Sequence, residues 1–194
     1  MFSGLVKGVT EVISCEPKDG LVVLTIAKLP HCIVKLGESV AVNGVCLTVT
    51  KTTDESCTFE LMPETLQKTT FGVSAPKRVN VEQSLRLGDP LDGHVVTGHV
   101  DTKGTITDIK EEGETKRLEI EFPPEFARLI ADKGSMAVDG VSLTVAGIKG
   151  NRFTVGAIPY TLTHTTLGER VVGDLVNLEF DIIAKHLARM TEKL

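Results

Sequence analysis

The chain has no apolar run approaching the roughly 20 residues that span a bilayer. "MFSGLVKGVTEV", at its start, has no basic region leading into an apolar core, so a signal peptide is not expected either. C-x-x-C pairs are absent, and the four cysteines, Cys15, Cys32, Cys46 and Cys57, all lie in the first third. That distribution fits reduced thiols in a cytoplasmic protein better than a disulfide framework. The adjacent pair His31-Cys32 has no second ligand pair at metal-binding spacing, so a zinc site is not expected. There is no G-x-G-x-x-G, P-loop, G-x-S-x-G or H-E-x-x-H, which leaves nucleotide, serine-hydrolase and zinc-protease chemistries without support. A basic tail is missing too. Net charge is −5 with both signs scattered, and that argues against a nucleic-acid-binding role.

What remains is ordinary in bulk. An apolar content of 41% with 24% charged residues suits a soluble globular protein, and 194 residues allow one domain or two small ones.

Internal repetition is the informative feature. "SVAVNGVCLTV" (39–49) returns as "SMAVDGVSLTV" (135–145), identical at eight of eleven positions with an offset of 96. The same offset carries "TFELMPETLQKTTFG" (58–72) onto "TVGAIPYTLTHTTLG" (154–168), and "SGLV" (3–6) aligns with "TGHV" (97–100) at an offset of 94. The chain is a tandem duplication. A first unit over 1–90 and a second over 91–181 meet near "RLGDPLDGH", and 182–194 has no counterpart.

Within each unit, short β-branched segments such as "LVVLTIA", "VCLTVT" and "CTFELM" are separated by Gly, Asn, Asp or Pro. Six or so antiparallel strands per unit predict an all-β fold, two small Greek-key-like barrels in tandem. The tail differs: Ile182, Ile183, Leu187 and Met190 fall at helical spacing, predicting an amphipathic helix too short to stand alone.

Asn43-Gly44 and Asp139-Gly140 are two-residue hairpin signals, since a type I′ turn needs positive φ at both central residues. The register then pairs Val42 with Val45, Ala41 with Cys46, Val40 with Leu47 and Ser39 with Thr48. Alternation sends Val40, Val42, Val45, Leu47 and Val49 to the core. The outer face carries Ser39, Ala41, Cys46 and Thr48 in the first copy, and Ser135, Ala137, Ser142 and Thr144 in the second. A solvated sheet face is the bland explanation, but such faces favour long charged side chains and neither patch has one. Small residues leave room for a flat ligand, with hydroxyls to bind its polar groups. Two related patches then imply two similar ligands.

Pro63 and Pro159 suit a first helical position, so each unit is expected to start a short helix there. Thr69 and Thr70 either cap backbone groups in the following turn or touch ligand. His99 stands where the first copy has Leu5, which gives one copy an ionisable group that the other lacks; a structural role is the plainer alternative.

Together, "MFSG", "SVAVNGVCLTV", "GHVVTGHVD", "DGVSLTV", "NRFTV", "IPYTLTHTTLG" and "DIIAKHLARM" resemble the riboflavin synthase α-chain family from end to end. The resemblance implies a cytoplasmic homotrimer of two-barrel subunits with residues 182–194 at the trimer contact. The implied reaction is a dismutation of two molecules of 6,7-dimethyl-8-ribityllumazine into riboflavin and 5-amino-6-(D-ribitylamino)uracil, with no metal or organic cofactor. It implies lumazine synthase as a further partner. Cys46, His99 and Ser142 match the family's catalytic positions. By motif, the first barrel's binding residues are Gly4, Leu5 and Val6; Ser39, Cys46, Leu47 and Thr48; and Glu60, Leu61, Met62, Pro63, Glu64 and Thr65. The second barrel's are Gly98, His99 and Val100; Lys133; Ser142, Leu143 and Thr144; and Gly156, Ala157, Ile158, Pro159, Tyr160 and Thr161. Three positions depart from the pattern: Ser3 replaces the usual Thr, Asp92 a second glycine, and Tyr160 stands opposite Glu64 of the first copy. A non-catalytic lumazine- or flavin-binding relative would share the repeat but lose key polar groups. A generic two-barrel interaction protein would not explain the small-residue faces.

Overall fold

The computed structural model describes residues 1–29 and 32–191, so His31 lies outside the described residues, as do the last three positions of the expected tail helix. The first unit contains β1 (Gly8–Lys18), β2 (Leu21–Ala27), β3 (Ser39–Val42), β4 (Val45–Thr52), β5 (Ser56–Leu61), α1 (Pro63–Lys68) and β6 (Arg78–Gln83). The second contains β7 (Thr102–Glu112), β8 (Thr115–Glu121), β9 (Ser135–Val138), β10 (Val141–Lys149), β11 (Arg152–Ala157), α2 (Pro159–His164) and β12 (Leu175–Phe180), followed by α3 (Ile182–Thr191). Each unit closes into a six-stranded antiparallel barrel, in the cyclic orders β1-β2-β5-β4-β3-β6 and β7-β8-β11-β10-β9-β12. Among the described strands, closure leaves no unpaired edge.

The two hairpins have the expected register, Val42↔Val45 to Ser39↔Thr48 and Val138↔Val141 to Ser135↔Thr144. Their turns carry positive φ at Asn43 (45°), Gly44 (77°), Asp139 (46°) and Gly140 (78°), as a type I′ turn requires. Register shifts recur at matching places, after Val12 and Ile106 and after Val49 and Val145, where the bulged strands bend to close the barrels. Inside, Val40, Val42, Val45, Leu47 and Val49 join Leu24 and Phe59 in one core. In the other, Phe122 packs edge to face on Phe180 and at a tilt on Phe153. Burial of each such side chain contributes about 1.5–3 kcal/mol.

The barrels meet through the backs of the two hairpins. Ala41 and Ala137 are buried there with Phe2 and Val96, in a small third apolar cluster. Around it runs a reciprocal set of bonds. The Asn80 side chain donates to Asp139 O and accepts from Thr166 N, while Asn177 donates to Asn43 O and accepts from Thr70 N, all at 2.8–2.9 Å. The same contacts made twice, with the copies exchanged, describe a pseudo-two-fold between the units. They also correct the sequence expectation for the outer hairpin face. Its alanines are sealed in the inter-barrel contact, and only Cys46, Ser142 and their flanking Ser and Thr residues keep any access to solvent.

Candidate functional site

Each hairpin places one reactive side chain at the rim of its barrel, and the segment packed on it comes from the other repeat. The Cys46 N–H donates to Gly98 O at 2.8 Å, and the Ser142 N–H donates to Gly4 O at 2.8 Å. Both approaches require glycine. A Cβ on Gly98 would lie 2.5 Å from the Cys46 Cβ, one on Gly4 would lie 2.5 Å from the Ser142 Cβ, and both residues have positive φ. Val100 packs into the first core and Val6 against the second.

The motif-based grouping is corrected by these contacts. Gly4 packs on Ser142 and Val6 on the second core, while Gly98, His99 and Val100 line the cleft of Cys46. Nothing in the spacing or periodicity of the sequence says where a short arm will dock.

Two buried carboxylates pin the crossing arms. Glu82 of β6 accepts from Ser3 N and Ser3 Oγ, both at 2.7 Å, and from Gly4 N at 3.0 Å. Glu179 of β12 accepts from Thr97 N, Thr97 Oγ1 and Gly98 N at 2.6–2.9 Å. Burial pushes the Glu82 carboxyl above its ordinary value, opposed by its bonds from Ser3 and Gly4. Ser3 therefore fills its place in the pattern through a hydroxyl that a threonine would also supply.

The Cys46 face opens into a cleft of about 250 Å³ lined by Val45, Cys46, Glu64, Thr65, Lys68, Thr69, Gly98, His99 and Val100. A half-buried thiol, an exposed imidazole and the Glu64–Lys68 ion pair of α1 (3.4 Å) thus surround one opening. At the equivalent rim of the Ser142 face, α2 carries Tyr160 stacked on His164 with centroids 4.0 Å apart. The two faces are built alike and edged differently. Both short helices begin at their proline, as expected.

Several motif residues do not present side chains to either face. Leu47, Leu61, Leu143 and Ala157 point into the barrel cores, so only their backbones reach the rim. Glu60, Met62, Pro63, Gly156, Ile158 and Pro159 are exposed around it, as are Thr48 and Thr144, and Thr161 is half-buried. Ser39 and Leu5 line a different, larger hollow of about 540 Å³ beside the inter-barrel linker, with Asp92 on its wall. Lys133 sits at positive φ in the loop before β9, its N–H bonded to Val145 O. Thr69 Oγ1 donates to Thr65 O at 2.7 Å, and Thr70 N is tied to Asn177, which favours the turn-capping alternative for this pair. Sequence reasoning passed over His94, whose Nδ1 lies 2.7 Å from Ser142 Oγ. The doubled Gly-His-Val at 93–95 and 98–100 was the available signal.

The Lumazine binding domain family matches residues 3–84 and 97–181, one domain per barrel. A riboflavin synthase of Brucella abortus is 40% identical over 200 residues, spanning 99% of this chain and 98% of its own length. Another from Mycobacterium bovis is 41% identical over 201 residues, spanning 98% of each. The chain belongs to the riboflavin synthase family. Among solved structures, LumP complexed with riboflavin superposes with a TM-score of 0.86 at 24% identity, covering 93% of this chain and 99% of that one; at that identity the likeness speaks for the fold. In this chain the lumazine-binding domain occurs twice, with Cys46 in one copy and Ser142 in the other.

Proposed function

We propose that the chain catalyses the dismutation of two molecules of 6,7-dimethyl-8-ribityllumazine, passing a four-carbon unit from one to the other to give riboflavin and 5-amino-6-(D-ribitylamino)uracil. The observation that carries this is the pair of related faces, one at Cys46 and one at Ser142, in a chain whose full-length relatives are riboflavin synthases. Two bound copies of one molecule call for two similar faces, and unequal donor and acceptor roles call for a difference between them.

The two products together contain all the atoms of the two substrates, so no oxidant, reductant or water is consumed. No redox partner is therefore needed, and we further propose that neither a metal nor an organic cofactor takes part. The substrate supplies much of the reactivity, because deprotonation of a ring methyl gives a delocalised carbanion. The protein holds two rings in reacting geometry and shields them from water. In this reading Cys46 and His99, which line one cleft, add to the ring or move a proton. Ser142 serves the second ring.

The working form is a cytoplasmic homotrimer in which the Cys46 face of one subunit meets the Ser142 face of another. Support for assembly comes from α3, whose Ile183, Leu187 and Met190 are 61%, 58% and 70% exposed in the single chain. Lumazine synthase is the proposed supplier of the substrate.

The test is to dialyse purified protein exhaustively against a chelator and add the lumazine alone. Riboflavin should form with two lumazines consumed per riboflavin. Binding without conversion would favour a non-catalytic lumazine- or flavin-binding protein, and activity restored only by added metal or nucleotide would contradict the mechanism.

A further inference from the structure

His94 is buried beside the Ser142 face, with Nδ1 2.7 Å from Ser142 Oγ. Its backbone N–H donates to Ser3 O at 3.1 Å, so the arm that carries Gly4 also holds the histidine in place. Gly93 makes this possible, since a Cβ there would lie 2.1 Å from Ser3 O and 3.2 Å from Ser142 Oγ. The Cys46 face is different. Among the described residues no imidazole bonds its thiol, and His99 is exposed. The substitution of Ser for Cys between the copies is thus accompanied by a dedicated buried imidazole. A thiol ionises on its own near neutral pH far more readily than a hydroxyl does, and a serine needs a partner base to become a better proton acceptor.

We propose that His94 is a positioning residue that fixes the direction of the Ser142 hydroxyl, and so makes Ser142 a hydrogen-bond acceptor toward the ligand. This rests on the proposal that the Ser142 face holds a lumazine. A neutral imidazole with its proton on Nε2 offers a lone pair at Nδ1. Ser142 then donates inward and leaves its oxygen lone pairs facing the ligand. Protonation reverses the bond: Nδ1–H donates to Ser142 Oγ, and the serine proton turns outward to meet the ligand's own donor.

The groups around His94 decide which form prevails. Burial favours the neutral ring and lowers its pKa; the carboxylates of Asp181, just beyond β12, and Glu179, on β12, pull the other way but less strongly. From the arm comes Ser3, with Glu82 behind it, and from β10 comes Ser142. The acceptor state therefore persists below the ordinary imidazole value of about 6.5 and fails only at more acid pH.

The experiment uses the full chain with His94→Leu, His94→Asn and Ser142→Ala, each checked for folding by circular dichroism. His94→Leu should lower kcat about tenfold, the equivalent of one misdirected hydrogen bond, with a smaller change in KM. His94→Asn, whose amide oxygen accepts without titrating, should restore most of that loss and remove the acid limb of the pH–kcat profile. His94→Leu combined with Ser142→Ala should cost no more than the worse of the two. Nitrogen-15 spectra of the imidazoles give a readout independent of turnover: His94 Nδ1 should be unprotonated at neutral pH, and its titration should move in Ser142→Ala. Wild-type kinetics in His94→Leu, an acid limb kept by His94→Asn, multiplying losses in the double variant, or a protonated Nδ1 at neutral pH would each overturn the proposal. A chain without turnover would sink the proposed reaction, yet the nitrogen spectra would still decide the role of His94.

Discussion

Gly44 and Gly140 face each other across the inter-barrel contact so closely that a Cβ on Gly44 would lie 2.6 Å from Gly140 N, and one on Gly140 would lie 2.7 Å from Gly44 N. The two hairpin tips are the point about which the repeats are related. Both glycines also have φ near +78°, where a side chain costs about 1–3 kcal/mol before any collision. Gly44→Ala and Gly140→Ala should each lower Tm by several degrees, and by similar amounts. Calorimetry showing either alanine to be neutral would mean that the tips do not meet.

The tips are not chemically equal. Asp139 is fully buried, its Oδ2 2.6 Å from Arg170 Nη2, whereas the first copy has Asn43 with Ser74 at the matching position. Burial holds the Asp139 carboxyl above its ordinary range, opposed by Arg170 and by the N–H of Asn177. A carboxyl with a raised folded pKa stabilises the fold fully below its unfolded pKa, and that stability is lost as pH rises through the raised value. Without the guanidinium the folded pKa rises further. Arg170→Ser should therefore cost about 3–5 kcal/mol at neutral pH, through an unpaired buried charge, and regain stability on acidification. Asp139→Asn with Arg170→Ser copies the first repeat and should recover most of the loss. Urea titrations at several pH values give the answer.

Deleting 183–194 removes the open apolar side of α3 and the Lys185–Asp101 ion pair (2.6 Å), while both barrels keep their strands. The truncated chain should sediment as a monomer that still binds riboflavin. Intact trimers after deletion would refute a role for α3 in assembly.

Residues 1–92 alone should fold and bind riboflavin as a dimer. In such a dimer, Gly4 of each copy can take the place of Gly98 against the other copy's Cys46, because the two arms make the same contact in the full chain. Turnover should be absent, since His99 and the Ser142 face are missing. A folded monomer without affinity would contradict the exchanged-arm geometry.

The hairpins were legible because a two-residue turn fixes register and alternation then fixes faces, so Val42↔Val45 followed from Asn43-Gly44 alone. Closure into barrels followed from strand count and repetition. The arms were not legible. Gly4 finds Ser142 across more than a hundred residues of chain, through a bond that no local pattern encodes. The burial of Ala41 and Ala137 was missed for the same reason: alternation says which face a residue is on, not what covers it. His94 looked like any lone histidine until folding brought it to Ser142.

Mixed assemblies test most directly whether the proposed catalytic site joins a Cys46 face and a Ser142 face from different subunits. Cys46→Arg blocks the first face with a bulky charge and Ser142→Arg blocks the second, so each variant alone should be inactive. Co-expression with two different affinity tags should yield mixed trimers in which, on the proposed arrangement, the intact Cys46 face of one variant meets the intact Ser142 face of the other. Riboflavin formation from the lumazine should return in trimers purified on both tags. Inactivity in trimers shown to contain both chains would contradict the inter-subunit site.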